Sequence, residues 1–422
     1  MSTKVVSLRL DQNYLTWYFQ LLTIFGMWNP WKEDNVEKRL YTWYAVGLFC
    51  FAGVPPSLGE IIHAWKSRNV VMFTQHFTLV TAMLSTMVKI VNLWRRRPDL
   101  ETVANLLNWE RRQVCNRKFA IYRDRVIIST IRACKLFGWA FIIMVIWYCC
   151  FSYGKVVVYS RGDANQISTS PLWVFNANGT PSYWLMFVTD KITISYLAGC
   201  TAFHDIFFTV FLIHVGAQLD LLKQRLEWCR DDVRDTNGFN FISNDFALYD
   251  LKLECVCRSI SEESSLDPIV ELYTCIQHHQ IILRYANLLQ SIFNNTLLLQ
   301  FGTSLLIISM AGFQILGKQE LSTNELIDTM NFLMCALFQL FLYCWFGTII
   351  ISKSETISLS AYYSKWYDTD IRFKKTLNIL LFRGQVPIKF RAGYICELSS
   401  QTFMQIISKC YSSMALLQQV ND

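Results

Sequence analysis

The chain has 422 residues, of which 53% are hydrophobic and only 17% are charged. Soluble globular domains carry about 25% charged residues, so the composition excludes a disordered chain, a collagen-like chain, a disulfide-stapled mini-protein and most soluble enzymes. A net charge of +7 would indicate nucleic-acid binding only if the basic residues formed a stripe facing solvent, and they collect instead in alternate segments between apolar runs. The composition predicts an all-α, polytopic membrane protein without a nucleic-acid partner.

The N-terminal segment, residues 1–39, is predicted to be cytoplasmic and to contain an interfacial or re-entrant helix. Its apolar stretch, Tyr14–Trp28, is too short to cross a bilayer comfortably, because a spanning helix needs about 20 apolar residues. Aromatic residues on this stretch are expected to anchor it among the lipid headgroups, namely Trp17, Tyr18, Trp28 and Trp31.

Seven apolar runs are predicted to cross the membrane. Five of them contain no Asp, Glu, Lys or Arg: Leu40–Gly59, Asn69–Val88, Leu136–Gly154, Tyr285–Gly317 and Thr329–Ser352. The fourth span in chain order, Trp184–Gly216, contains Asp190, Lys191 and Asp205, and the last one, Leu398–Val420, is interrupted by Lys409.

The basic residues predict the orientation of these spans, because cytoplasmic loops are enriched in Lys and Arg. Alternate segments between the seven spans hold 30 Lys and Arg residues against 5. The N-terminus is therefore predicted to lie in the cytoplasm and the C-terminus outside. The predicted outer loops contain no cysteine, which agrees with this orientation, and Asn178 in one of them matches a glycosylation acceptor followed by Pro181.

The spans divide the chain into six predicted regions. Residues 40–216 hold transmembrane helices 1–4, 217–288 a cytoplasmic loop and helical anchor, 289–352 helices 5–6, 353–394 a second anchor segment, and 395–422 a pore-lining helix 7. The anchor is predicted because Leu219, Leu222, Leu226 and Cys229 recur at helical spacing beyond the fourth span. Such an apolar face must be buried, so we expect a compact intracellular helical layer that holds subunits together.

Enzyme motifs are absent from the sequence, and no cofactor or metal is expected. His278 and His279 lie on the predicted anchor helix, where packing is the more ordinary role. Asp205, beside His204, lies within the fourth span. An ionisable group inside a membrane is a functional candidate, but an ion-paired structural role is equally open.

The outer halves of several spans present apolar faces with a few hydrogen-bonding groups, which would suit a small volatile organic ligand. The candidate ligand-binding residues are Phe73, His76, Phe77 and Val80 on the second span, Met144, Trp147, Tyr148 and Phe151 on the third, Phe187, Lys191 and Ile194 on the fourth, and Phe301 and Leu305 on the fifth. Ordinary helix packing or lipid contact remains the alternative for each residue.

The last span is unusually polar, so at least one of its faces should meet water or protein. Helical spacing places Ser408, Tyr411, Ala415 and Gln418 on one face, with Gln419 beside them. Several subunits that arranged this face around an axis would form a pore with a small or polar constriction near its outer mouth. A helix buried in its own bundle by hydrogen bonds is the alternative.

The C-terminal third resembles the insect odorant receptor family, whose members have seven helices and an inverted topology. Three stretches, together about 150 residues, carry the resemblance. The first is Cys275–Phe301, with His278 or His279, Ile282, Phe293, Gln300 and Phe301 at the family spacing. The second is Cys344-Trp345-Phe346-Gly347, followed by Ser354, Ala361, Tyr362 and Trp366. The third and most specific is Pro387-x4-Ala392-Gly393-x5-Ser399-x2-Thr402-Phe403-x7-Tyr411-Ser412.

The resemblance implies a ligand-gated, non-selective channel for monovalent and divalent cations in the plasma membrane of olfactory dendrites. It implies four subunits around one pore lined by the last helix, with this chain as the odorant-binding tuning subunit beside the odorant receptor co-receptor (Orco). The co-receptor has a Val gate and a Gln filter residue. Matching the final helices places the gate position at Ala415 and the filter position at Gln418, followed by Gln419.

Two alternatives remain at this stage. Gustatory receptors share the architecture and would form a homomeric ligand-gated channel, but their terminal pattern is not met, since Cys410 and Leu417 replace its Thr and Gln. A G-protein-coupled receptor would require the opposite orientation, which the distribution of basic residues disfavours.

Overall fold

The computed structural model describes residues 15–31, 35–66, 70–107, 117–159, 180–229, 268–316 and 323–421, and Asn178 lies outside these ranges. The described ranges are almost entirely helical: α1 (Thr16–Ile24), α2 (Val36–Ala52), α3 (Val54–Lys66), α4 (Val70–Arg95), α5 (Arg97–Leu107), α6 (Arg117–Tyr159), α7 (Thr180–Glu227), α8 (Pro268–Leu316), α9 (Thr323–Tyr362), α10 (Ile371–Gly384) and α11 (Ser400–Asn421). A hairpin of β1 (Arg391–Ala392) and β2 (Cys396–Glu397) pairs Arg391 with Glu397 and Ala392 with Cys396 in antiparallel register.

Four helices are much longer than a bilayer is thick. α6 to α9 contain 43, 48, 49 and 40 residues. At 1.5 Å per residue they extend about 60–74 Å, roughly twice the ~30 Å hydrocarbon core. These helices therefore continue well beyond the membrane, and the apolar side chains predicted for an anchor are buried: Leu219, Leu222, Leu226 and Cys229.

The sequence analysis missed two helical extensions in the basic segment after the second span. α4 continues to Arg95, and α6 begins at Arg117, 19 residues before the predicted start of the third span at Leu136. Ten basic residues in this segment concealed a helical stripe that includes the buried Phe119 and Ile127. Between these two residues Arg125 is exposed, whereas Arg123 is buried.

The first predicted span is two helices rather than one. α2 ends at Ala52 and α3 begins at Val54, with Gly53 between them. Pro55 and Pro56 lie in the first turn of α3, where their missing N–H groups cost least. A Cβ atom on Gly53 would lie 2.6 Å from the Met87 methyl, so the missing side chain leaves room for Met87 of α4.

The N-terminal helix is part of the core. Tyr18, Phe19 and Trp28 are buried, and the Phe19 ring packs edge-on against Phe207 of α7 with centroids 5.4 Å apart. The Tyr18 hydroxyl donates a 2.5 Å hydrogen bond to the Cys134 carbonyl oxygen of α6. The interpretation of Tyr18 and Trp28 as headgroup anchors is therefore wrong, because aromatic residues at helical spacing pack equally well against protein.

Six helical segments of the described chain are long and apolar enough to cross a membrane. α11 has 22 residues, which would extend about 33 Å, and its sequence includes Lys409 and four glutamines. All cysteines whose side chains the structure describes carry free thiols.

Candidate functional site

The start of α11 is held on α9 by Gly347 and the Thr348 hydroxyl, and the Ser399 hydroxyl caps the helix. A Cβ atom on Gly347 would lie 2.1 Å from the Leu398 carbonyl oxygen, so only glycine permits this approach of the chain. The Ser400 backbone N–H donates a 2.8 Å hydrogen bond to the Thr348 hydroxyl, and the Thr402 N–H donates one of 3.2 Å to the Ser399 hydroxyl. These bonds satisfy N–H groups that a helix N-terminus leaves without partners.

The β1–β2 hairpin attaches the same region to α8. The Gln290 amide donates to the Arg391 carbonyl oxygen at 2.6 Å and accepts from the Arg391 N–H at 2.8 Å. The Asn294 carbonyl oxygen accepts from the Gly393 N–H, and its side-chain oxygen accepts from the Tyr394 N–H at 3.0 Å. Gly393 has φ +62°, a conformation that favours glycine. Gly393 belongs to the most specific of the three stretches that resemble the odorant receptor family, and here it forms part of the attachment of the hairpin to α8.

Charged side chains also join the two strands of the hairpin. Glu397 lies 3.1 Å from both the Lys389 ammonium and the Arg391 guanidinium. Hydrogen bonding from Lys389, followed by that from Arg391, lowers the pKa of Glu397 below its ordinary value. The carboxylate on β2 therefore stays ionised at neutral pH and pairs with two basic side chains in and just before β1, ahead of α11.

The described part of α11 separates into a packed face and an open face. Ile406 and Cys410 are buried, and the Phe403 ring packs against Phe341 of α9 with centroids 5.7 Å apart. Ser408 and Tyr411, both predicted pore residues, are exposed on another face. Ala415, Gln418 and Gln419 belong to the helix, but their side chains lie outside the described set.

The candidate ligand-binding residues of α4 form a partly buried aromatic group. The Phe73 and Phe77 rings stack with centroids 5.8 Å apart, and Val80 one turn further on is buried. His76 lies beside them, but its Nδ1 is 2.5 Å from the Glu60 carboxylate of α3. The sequence analysis missed Glu60 because it ended the first span at Gly59.

The other candidate ligand-binding residues differ in exposure. Phe301 is buried, and Met144, Ile194 and Leu305 are half-buried. Trp147 is 66% exposed, so its side chain points away from the described bundle. The side chains of Tyr148, Phe151, Phe187 and Lys191 lie outside the described set.

A buried polar triad that the sequence analysis did not identify joins α4, α8 and α9 in the outer half of the bundle. The Gln314 amide donates a 2.7 Å hydrogen bond to the Thr74 hydroxyl, and its carbonyl oxygen accepts one of 3.0 Å from Thr329. Each side chain is no more than 6% exposed. Thr74 follows Phe73 in the sequence, and its hydroxyl is occupied by Gln314. A glutamine within an otherwise apolar span was the signal available for this triad.

Asp205 is ion-paired, in agreement with the structural alternative for this residue. Its carboxylate lies 2.7 Å from the Lys89 ammonium of α4, and both side chains are buried. Asp205 inside the fourth predicted span, and a lysine of opposite charge directly after the second, were the signal for this pair. Among the described residues, no group of three His, Cys, Asp or Glu could hold a metal ion.

The sequence is similar to known odorant receptors over most of its length. The sequence profile of the 7tm odorant receptor family matches residues 69–411. Odorant receptor 59b of Drosophila melanogaster is 22% identical over 429 aligned residues, which cover 99% of this chain and 96% of that protein. Putative odorant receptor 92a of the same species is 28% identical over 183 residues, only 43% of this chain and 42% of that protein.

The fold matches an experimentally solved receptor. The olfactory receptor OR5 of Machilis hrabei, in complex with eugenol, superposes with a TM-score of 0.76 at 16% identity, over 96% of this chain and 98% of that one. This match confirms the predicted all-α, polytopic membrane fold. Because the family profile covers most of the chain and the helices reproduce the receptor fold, the chain belongs to the 7tm odorant receptor family of insects.

Proposed function

We propose that this chain is the odorant-binding tuning subunit of an odorant-gated, non-selective cation channel, and that it assembles with the co-receptor Orco in a tetramer. The observation that carries the proposal is the arrangement of α11. One face of this helix packs on α8 and α9, while Ser408 and Tyr411 remain exposed on a helix whose sequence carries Lys409 and four glutamines, which are costly against lipid.

An exposed apolar face on α10 supports assembly. Phe373, Leu377 and Leu380 are buried against the bundle, whereas Ile379 is 71% exposed and Phe382 77% exposed. An amphipathic helix of a monomer would place polar groups there. In the proposed tetramer this face contacts a neighbouring subunit within the cytoplasmic anchor.

The proposed mechanism runs from the outer half of the bundle to α11. An odorant held among the Phe73–Phe77 pair and the candidate faces of α6, α7 and α8 would gain dispersion and desolvation energy. It shifts the gating equilibrium only by its differential affinity for the open state. α8 and α9 would then carry the change to α11, because the hairpin and Thr348 attach its start to both helices.

Whole-cell current tests the proposal. Cells expressing this chain with and without Orco are exposed to a panel of volatile esters, terpenoids and aromatics that includes eugenol. We expect rapid cation current only when both chains are present. Current from this chain alone would favour a homomeric channel of the gustatory type instead. Absence of current in both conditions, with both chains detected at the plasma membrane, would refute the channel function.

A further inference from the structure

Asp205 is the centre of a buried network that extends beyond its ion pair with Lys89. The Tyr343 hydroxyl of α9 donates a 2.5 Å hydrogen bond to Asp205 Oδ1, the oxygen that also receives the Lys89 ammonium at 2.7 Å. The Gln339 amide, one turn before Tyr343 on α9, donates to the other carboxylate oxygen. His204 Nδ1 lies 3.2 Å from Oδ1 on the same helix as Asp205.

The network also reaches α8. The Gln300 amide donates a 2.9 Å hydrogen bond to the Gln339 carbonyl oxygen and one of 3.1 Å to the Ser304 hydroxyl. One carboxylate therefore connects α4, α7, α8 and α9 through side chains alone. Two of these helices, α8 and α9, are the ones to which the hairpin and Thr348 attach α11.

Stability alone does not explain such a network. Apolar side chains of similar volume would pack these four helices without desolvating two charges, and such replacements are often neutral or stabilising. Directional hydrogen bonds to one carboxylate instead impose a single relative position on the helices. A displacement of α9 along α7 breaks the bonds from Tyr343 and Gln339 to Asp205, while the bond between Lys89 and Asp205 is unaffected.

We propose that the bonds from Tyr343 and Gln339 to Asp205 form a gating latch, made in one of the two functional states and broken in the other. The latch sets the equilibrium between a closed and a conducting arrangement of α11. This inference rests on the proposed channel function and adds to it the residues that couple the ligand-binding helices to the pore helix.

A pair of tyrosine variants tests the latch. Tyr343→Phe removes the hydroxyl that binds Asp205 and leaves the ring. Tyr285→Phe is the matched control, because Tyr285 is also buried and its hydroxyl has no hydrogen-bond partner in the described part of the chain. Each variant is expressed with Orco, and concentration–response curves are recorded with the most potent compound of the volatile panel, together with basal current and surface level.

We expect Tyr343→Phe to change the half-maximal concentration or the basal current by about fivefold or more, since fivefold is about the smallest typical effect of allosteric coupling. Tyr285→Phe should match the parent chain. Higher sensitivity assigns the latch to the closed state and lower sensitivity to the conducting state. Normal surface level with an unchanged curve overturns the proposal. If Tyr343→Phe is lost from the surface, Gln339→Met is scored in the same way, and loss of both means that the network serves folding only. A silent parent chain refutes the channel function itself, which separates the two failures.

Discussion

Replacing Lys89 by methionine removes half of a buried ion pair and keeps much of the side-chain volume. Lys89 Nζ lies 2.7 Å from Asp205 Oδ1, and both side chains are at most 3% exposed. At this distance two unit charges attract by about 6 kcal/mol at an effective dielectric constant of ~20. That attraction offsets the desolvation of both charges, so removing one partner leaves the other uncompensated and costs about 3–5 kcal/mol.

The assay is the apparent melting temperature of the fluorescently tagged chain in detergent, from size-exclusion profiles after heating. Lys89→Met should melt well below the parent chain. Lys353→Met is the matched control, because Lys353 pairs with Asp220 at 2.5 Å but both side chains are about one-third exposed. Solvent screening limits such a pair to about 0–1 kcal/mol, so this variant should melt near the parent chain.

A compensating substitution separates loss of the pair from loss of packing. Lys89→Met combined with Asp205→Asn removes both charges and keeps an oxygen that accepts the Tyr343 hydroxyl, so most of the lost stability should return. Equal melting of Lys89→Met and the parent chain, or no recovery in the double variant, would refute the argument that an uncompensated buried charge dominates the cost.

Two further predictions concern the approach to α11. Gly347→Ala should lower the melting temperature and the surface level, because the new Cβ would lie 2.1 Å from the Leu398 carbonyl oxygen. Gly302→Ala is the control and should change neither, because a Cβ added there would have no neighbouring atom within 4 Å. Equal behaviour of the two variants would contradict the close approach at Gly347. Hydrogen bonding from Lys389 lowers the pKa of Glu397 below its ordinary value of 4.5. The ionised carboxylate therefore stabilises the fold fully above pH 4.5, and this stability is lost as the pH falls through the lowered pKa. Glu397→Gln should therefore melt at a lower temperature than the parent chain at pH 7, and the difference in melting temperature should disappear in acid. A difference that does not depend on pH would contradict this role of the ionised carboxylate.

The odorant-binding region shows how far sequence patterns reach. Helical spacing placed Phe73 and Phe77 on one face, and their rings do stack in the structure. The same spacing grouped His76 with them as a ligand-binding residue, but His76 lies against Glu60, since a helical pattern does not show which neighbouring helix supplies the partner. Trp147 met the same criterion and points outward, because an apolar face can meet either protein or lipid.

The sequence by itself determined the polytopic helical class, because bilayer thickness and backbone hydrogen bonding leave few ways to place apolar runs of this length. It also determined that the last helix is polar, since this follows from composition alone. The tertiary structure decided that Lys89 and Asp205 meet, 116 positions apart, and that Gly347 admits the chain at Leu398. Such contacts depend on how helices rotate and pack against each other, and neither periodicity along one helix nor its hydropathy contains that information.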